Sequence, residues 1–164
     1  MAKEKEIKTN AMRILDNLKI AYKENFYECD EFIDGMHIAD KLGQSYDSSF
    51  KTLVTVGKSK QYYVFALPVD KELDMKKAAK SVGEKSVELI AVKDITKVTG
   101  YIRGGCTPLG MKKQYKTVID KSALAFDEII ISGGRIGTQI FVNPTSLGGL
   151  IKADFCDIVF KGED

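Results

Sequence analysis

The chain has 164 residues, of which 44% are hydrophobic and 29% are charged, and its formal net charge is +2. This composition is typical of a globular protein and excludes an intrinsically disordered chain. The mild positive charge argues against a protein that wraps duplex DNA, but it leaves room for a cationic pocket that binds one or two phosphates. We expect a single domain over residues 1–164, with residues 1–8 as a flexible N-terminus.

Neither secretion nor membrane insertion is indicated. The N-terminal MAKEKEIK has no apolar stretch of the kind that a secretion signal needs. No run in the chain approaches the ~18 to 20 apolar residues of a membrane span. We therefore expect a cytoplasmic protein that does not bind membranes.

The first half of the chain predicts helices and strands in alternation. Thr9 or Asn10 can cap a helix with apolar residues at Ala11, Leu15 and Leu18. YKENFYEC then alternates like a strand, and MHIADKLG has the pattern of a short amphipathic helix. KTLVTVG and QYYVFALP are β-rich runs whose connection over 57–60 indicates a hairpin.

The second half adds further elements of both kinds. Asp74 can cap a helix that stops at Gly83, and Asn143 can cap another with Pro144 at its first position. SVELIA, YKTVID, EIIIS, TQIFV and a final CDIVF read as strands, and SALAF as a short helix. Hairpin and crossover connections both occur. The pattern therefore predicts an α/β (α+β) domain with a mixed, mostly antiparallel, partly barrel-like sheet flanked by helices.

The loop GYIRGGCTPLG at 100–110 is rich in glycine but lacks the spacing of a nucleotide-binding fingerprint. Gly104 and Gly105 could adopt positive φ and bring backbone amides close to a ligand oxygen. The residues alone favour a simpler interpretation, a tight turn closed by Pro108. A second glycine loop, SGGRIG at 132–137, lies between two strand patterns and reads as a hairpin turn.

The sequence gives only weak support for a side-chain nucleophile or a general base. Cys106 would need a lowered thiol pKa, and although Arg103 is near, no base is adjacent in sequence. The only histidine, His37, lies in a helical pattern and is expected to be a surface or half-buried helix residue. The cysteines are widely spaced, so we expect reduced thiols, and with a single histidine they give no zinc spacing. We also expect no cofactor. Lys51 opens a strand, where a lysine commonly extends its amine to water.

Three motifs occur together in a specific order. They are F-K-T-L at 50–53, G-Y-x-x-G-G-x-x-P-L-G at 100–110 with K-K at 112–113, and S-G-G-x-x-G at 132–137. In this combination the chain resembles the YbaK/EbsC family of free-standing aminoacyl-tRNA deacylases, which is related to the editing domain of bacterial prolyl-tRNA synthetase. The similarity runs from about Thr9 to Val159.

The resemblance implies a trans-editing hydrolase that deacylates Cys-tRNA(Pro). A small pocket separates amino acids of similar size by only ~1 to 3 kcal/mol, so a second site has to remove the mistakes. In the family, the thiol of the substrate is thought to attack its own ester while the enzyme orients it and stabilises the oxyanion. The implied partners are the acceptor end of tRNA(Pro) and, as a candidate, prolyl-tRNA synthetase, with no role for DNA.

The same resemblance assigns site residues. Lys51 matches the essential lysine of the family and Gly104 the loop that approaches the terminal adenosine and the carbonyl, so both are predicted to be catalytic. The predicted substrate-binding residues are Tyr27, Thr52, Tyr101, Gly105, Ser132, Gly133, Gly134 and Gln139.

Two departures from the family pattern leave alternatives open. Relatives carry an aspartate at the position of Gln139, and a pocket aromatic of the family has only Phe32 as its candidate. One alternative is a deacylase of another misacylated tRNA, such as Ala-tRNA(Pro), which would need water as its nucleophile. The other is a non-catalytic module that binds tRNA or a synthetase.

Overall fold

The structure is a computed structural model that describes residues 8–29 and 33–161. The predicted flexible N-terminus therefore falls almost entirely outside the described residues, and so does Phe32.

The described strands are β1 (Tyr22–Phe26), β2 (Phe50–Gly57), β3 (Tyr62–Pro68), β4 (Val87–Leu89), β5 (Lys116–Asp120), β6 (Ile129–Ser132), β7 (Thr138–Val142) and β8 (Asp154–Cys156). They form a three-stranded sheet in the order β1-β7-β6 and a five-stranded sheet in the order β4-β2-β3-β5-β8. The described α-helices are α1 (Asn10–Asn17), α2 (Gly35–Leu42), α3 (Met75–Val82), α4 (Ile95–Thr99) and α5 (Pro144–Ile151). None of these helices has the length and apolar character that crossing a bilayer requires.

Three helix starts confirm their predicted caps. The Oγ1 of Thr9 accepts a hydrogen bond from the backbone N–H of Met12 at 3.2 Å. The carboxylate of Asp74 caps α3, and the side chain of Asn143 caps α5. Each cap satisfies an N–H group that has no partner within the helix, which is why these residue types predict the boundary.

The predicted mixed, mostly antiparallel architecture is confirmed. β1–β7, β6–β7, β2–β3 and β2–β4 pair antiparallel, whereas β3–β5 and β5–β8 pair parallel. The two sheets meet where Ser49 bridges Ile130 and the N–H of Ile130 donates to the carbonyl of Ser48 at 2.8 Å. The described strands do not close into a barrel.

Two details differ from the sequence-based expectation. Leu18 is 55% exposed, because α1 ends at Asn17 and the chain turns directly after Leu18, at Lys19, which has φ of 57°. The last strand also lies earlier than CDIVF suggests, at Asp154–Cys156. Its partner β5 ends at Asp120, whose carboxylate accepts a hydrogen bond from the N–H of Ile158 at 3.1 Å and so diverts the chain from the sheet.

The core lies on both faces of β3. Phe65 and Leu67 pack with α3, whereas Ala66, on the opposite face, packs with α1, α5 and the smaller sheet. This burial on both faces explains the continuous apolar run of β3. β2, its neighbour, is only partly buried over Lys51–Leu53, and it is there that the strand borders a cavity.

Candidate active site

A cavity of about 340 Å³ lies at the junction of the two sheets. Residues of β2, β6 and β7 line it, and α2 together with the segment 89–106 completes its walls. Among the predicted site residues, the cavity brings together Tyr27, Lys51, Thr52, Gly104, Ser132 and Gln139. Tyr101, Gly105, Gly133 and Gly134 are not among the lining residues; they lie in the two loops that support the wall.

Lys51 provides a half-buried cation in this cavity. It is the second residue of β2 and pairs with Leu67 on β3, so the sheet fixes its backbone. Burial lowers the pKa of Lys51, while the charges of Glu72, Asp70 and Asp34 act in the opposite direction. Within the described part of the chain, its amine has no hydrogen-bond or ion-pair partner. An anionic oxygen in the cavity could therefore bind it without displacing a carboxylate.

The first glycine loop, residues 100–110, is held by side chains. The N–H of Tyr101 donates to Oγ1 of Thr99 at 3.0 Å, and the Tyr101 hydroxyl donates to the carbonyl of Leu109 at 2.6 Å. The side-chain amide of Asn10 donates to the carbonyl of Gly110 at 3.1 Å. Gly104 adopts φ of 87°, in the region that favours glycine, and lies in the cavity wall.

Tyr101 consequently faces the loop rather than the cavity. Its side chain is 8% exposed, and burial raises its pKa to about 12. The phenol is therefore protonated at neutral pH and can keep donating to Leu109. The tyrosine predicted to bind substrate lies behind the wall, where it closes the loop.

The second glycine loop, residues 132–137, is a hairpin turn that the β6–β7 ladder closes, and the Nε of Arg135 also donates to Oγ1 of Thr138 at 3.1 Å. The N–H of Gly133 donates to the carbonyl of Thr138 at 2.8 Å, and the N–H of Gly134 donates to Oγ of Ser132 at 3.2 Å. The loops touch each other, because a Cβ added at Gly105 would lie 2.8 Å from the Cα of Arg135. Glycine at position 105 permits this close approach of two backbones.

Tyr27 and Gln139 lie on a third wall. The N–H of Tyr27 donates to the carbonyl of Gly137 at 2.9 Å, which attaches the segment after β1 to the second loop. Burial raises the pKa of Tyr27, so its phenol is neutral. Gln139 on β7 is 6% exposed and forms hydrogen bonds with the side chains of Asn25 and Gln44.

The side chains considered as nucleophile or base are poorly suited to these roles. Cys106 lines the cavity, but burial raises its thiol pKa to about 11, so the thiol is neutral at physiological pH. The His37 side chain is 73% exposed and is not among the lining residues. Its backbone N–H donates to Asp34 and lowers the pKa of that carboxyl group.

Sequence reasoning did not assign several polar lining residues to the site, among them Asp34 and Gln44. Asp34 caps α2, and an aspartate three residues before His37 in a helical pattern was an available signal for a cap. Gln44 follows the left-handed Gly43 that ends α2, and no local pattern marked it. Over residues 8–29 and 33–161, no cluster of three histidine, cysteine or carboxylate side chains is arranged to hold a metal ion.

This arrangement can bind and polarise an ester. It combines the Lys51 cation, a backbone loop at Gly104 and the hydroxyl groups of Thr52 and Ser132. The carboxylate among the described lining residues, Asp34, already caps a helix. The site is therefore better equipped to orient a substrate and stabilise charge than to supply a nucleophile.

Comparisons with known proteins point to one family. The family described as "Aminoacyl-tRNA editing domain" matches residues 36–149. A protein of Enterococcus faecalis (strain ATCC 700802 / V583), EbsC, is 42% identical over 163 residues, covering 98% of this chain and 99% of its own length. That relative is named as a Cys-tRNA(Pro)/Cys-tRNA(Cys) deacylase.

Solved structures share the fold. The hypothetical protein APE2540 superposes with a TM-score of 0.85 at 20% identity, covering 93% of this chain and 100% of its own. A protein described as a trans-editing enzyme for prolyl tRNA synthetase gives a TM-score of 0.77 at 21% identity, covering 94% and 99%. At these identities the likeness concerns the fold alone. The family match and the Enterococcus relative, each spanning most of the sequence, show that this chain belongs to the aminoacyl-tRNA editing domain family.

Proposed function

We propose that the protein is a cytoplasmic trans-editing deacylase that removes cysteine from mischarged Cys-tRNA(Pro). The observation that carries this proposal is the amine of Lys51, which has no partner among residues 8–29 and 33–161, in a cavity whose Cys106 thiol is neutral and whose Asp34 carboxylate caps a helix. Such a site suits a substrate that contains its own nucleophile. The deacylase name of the Enterococcus relative supports the same reaction.

In the proposed reaction, the cysteine thiol of the substrate attacks its ester carbonyl. A carbon–sulfur bond forms, the ester carbon–oxygen bond breaks, and the thiol proton passes to the departing ribose oxygen. The products are a cyclic thiolactone and tRNA with a free 3′ end. Lys51 and the backbone at Gly104 hold the ester and stabilise the developing oxyanion, and an acyl group without a thiol cannot follow this route.

The charge distribution supports an RNA substrate. Between positions 89 and 113 the chain carries five basic residues, Lys93, Lys97, Arg103, Lys112 and Lys113, and one acidic residue, Asp94. All five basic residues are exposed, and this segment supplies part of the cavity wall. It could therefore contact the phosphates of the acceptor end while the aminoacyl group occupies the cavity. Prolyl-tRNA synthetase is a candidate for delivering the substrate.

The direct test is deacylation of Cys-tRNA(Pro) by wild-type protein and by Lys51→Met, which keeps most of the side-chain length but removes the charge. We expect the variant to lose about 100-fold in rate, as when an oxyanion-stabilising donor is removed. Lys76→Met, in the exposed first turn of α3 and outside the cavity lining, is the matched control and should retain wild-type activity.

Parallel substrates separate the alternatives. Equal rates on Cys-tRNA(Pro) and Ala-tRNA(Pro) would mean that water, not the substrate thiol, is the nucleophile. Because the name of the Enterococcus relative also includes Cys-tRNA(Cys), this substrate tests whether the tRNA body is read at all. Binding of tRNA without cleavage of any ester would refute the proposal and favour a non-catalytic module.

A further inference from the structure

Three side-chain amides from distant parts of the sequence meet beside the cavity. The Nδ2 of Asn25 donates to Oε1 of Gln139 at 3.1 Å. The Nε2 of Gln44 donates to the same oxygen at 2.8 Å, and the Nε2 of Gln139 donates back to Oε1 of Gln44 at 3.0 Å. Gln44 and Gln139 thus form a reciprocal amide pair that lines the cavity, and Asn25 supports it from outside the lining.

The hydrogen bonds leave a defined set of groups for a ligand. Both lone pairs of Oε1 of Gln139 are used, because this oxygen accepts from Asn25 and from Gln44. One N–H on each glutamine has no protein acceptor in the pair, and Oε1 of Gln44 keeps one lone pair. Within the pair, the acceptor left for a ligand is therefore the side-chain oxygen of Gln44.

Asn25 is coupled to the direction of this arrangement, because its Nδ2 donates to Oε1 of Gln139. If the amide of Gln139 alone were reversed, its NH2 group would face the NH2 group of Asn25 and both would lack an acceptor. Unsatisfied donors are unfavourable, so the three amides keep a common direction, and in the structure it is the one in which Asn25 donates. β1 and β7 fix the contact because Asn25 and Gln139 are directly paired in the ladder.

We propose that Oε1 of Gln44 accepts a hydrogen bond from the α-amino group of the aminoacyl substrate, and that Asn25 is the positioning residue that orients the amide pair for this contact. The inference rests on the proposed function for the identity of the ligand, and it adds the group that reads the amino acid. A neutral acceptor can bind the amine in either protonation state.

The charged rival acceptor among the described lining residues is the carboxylate of Asp34. This carboxylate already accepts the N–H of His37 at 2.9 Å and lies 2.8 Å from the Nδ1 of the His37 ring. Its side chain is also 54% exposed, so water competes for it. Gln44, by contrast, is held by the largely buried Gln139. Of these two acceptors, the preorganised one is therefore on Gln44.

The test measures binding of two non-hydrolysable probes by isothermal titration calorimetry. Each probe is an adenosine with a 3′-amide link, one to cysteine and the other to 3-mercaptopropionic acid, which lacks the α-amine. We expect the wild-type protein to prefer the cysteinyl probe by about tenfold, the effect of one hydrogen bond to a charged or polar group. Gln44→Met should abolish the preference by weakening only the cysteinyl probe.

Variants of Asn25 separate positioning from general stability. Asn25→Asp replaces the donor with an acceptor, so the amide pair should reverse and the preference should disappear, while binding of the desamino probe should be unchanged. Gln114→Met, in which an exposed glutamine outside the cavity lining is replaced, should keep the tenfold preference.

The outcomes are distinct from those of the deacylation test. If Gln44→Met keeps the preference, or if the wild-type protein shows none, the inference is wrong even where Cys-tRNA(Pro) is cleaved. If Asp34→Asn lost the preference and Gln44→Met kept it, the amine would bind Asp34, and the inference would also be wrong. If Gln44→Met abolishes the preference but no ester is cleaved, amine recognition stands and the proposed reaction fails.

Discussion

The two glycine loops have similar compositions but obtain their shapes in different ways. The loop at 132–137 connects two paired strands, and the ladder between β6 and β7 closes it. The loop at 100–110 has no strand at either end; apart from the backbone bond from Gly105 to Ile102, it is held by side chains, above all by the hydroxyl group of Tyr101. A glycine-rich motif therefore indicates a close backbone approach, but not what holds the backbone in place.

The two loops contact each other at Gly105, and the substitution Gly105→Ala tests how tightly they are packed there. The new methyl group would lie 2.8 Å from the Cα of Arg135, a backbone atom that cannot move without shifting the hairpin. We expect a loss of about 3 kcal/mol in the free energy of unfolding, measured by urea denaturation, since overpacking typically costs ~1 to 3 kcal/mol.

Gly149→Ala is the matched control for this substitution. Gly149 is exposed on α5, and a Cβ added there meets no atom within 4 Å. Alanine should stabilise the helix there by about 0.5 to 1 kcal/mol. Equal effects at the two glycines would show that the loops are not tightly packed against each other.

Tyr101→Phe tests the side-chain hydrogen bond that closes the first loop. The substitution keeps the ring but leaves the buried carbonyl of Leu109 without its donor at 2.6 Å. We expect a loss of about 1 to 2 kcal/mol in unfolding free energy, from the cost of an unsatisfied buried group. Tyr62→Phe, at a tyrosine that is 36% exposed, should change stability by less than about 0.5 kcal/mol. A stable Tyr101→Phe would mean that the backbone alone holds this loop.

Ser132→Ala should have the smallest effect, because the second loop has its strand ladder. It removes the acceptor for the N–H of Gly134 at 3.2 Å but leaves the bond from Gly133 to Thr138 intact. We expect a loss of about 0.5 kcal/mol, at the lower end for a hydrogen bond. If the same urea titration gave a loss as large as that of Tyr101→Phe, the proposed difference between the loops would be contradicted.

Short-range patterns predicted the elements well where their cause is local. The cap at Thr9 reaches an N–H only three residues away, so the sequence around it contains the whole interaction. The last strand was misplaced because its end depends on Asp120, whose carboxylate accepts from Ile158, 38 positions away. Likewise, the pattern around Tyr101 did not reveal that its hydroxyl group closes the loop rather than facing the cavity.

The residues of the candidate site also differ in whether the sequence alone could identify them. Lys51, Gly104 and Ser132 were identified from motifs that also place the chain in its family, and the cavity contains all three. No local sequence pattern identified Gln44 as a site residue. Its role depends on Gln139, 95 positions away, and through Gln139 on Asn25, which is 114 positions from that glutamine.

Caps, periodicity and motifs are properties of neighbouring residues, so the order of most helices and strands, the mixed fold class and the family could be predicted from the sequence. The polar groups that meet around the cavity, and the close approach of Gly105 to the backbone of Arg135, became visible only in the folded structure. Those contacts depend on how two sheets pack against each other, and the directions of side-chain hydrogen bonds follow from that packing.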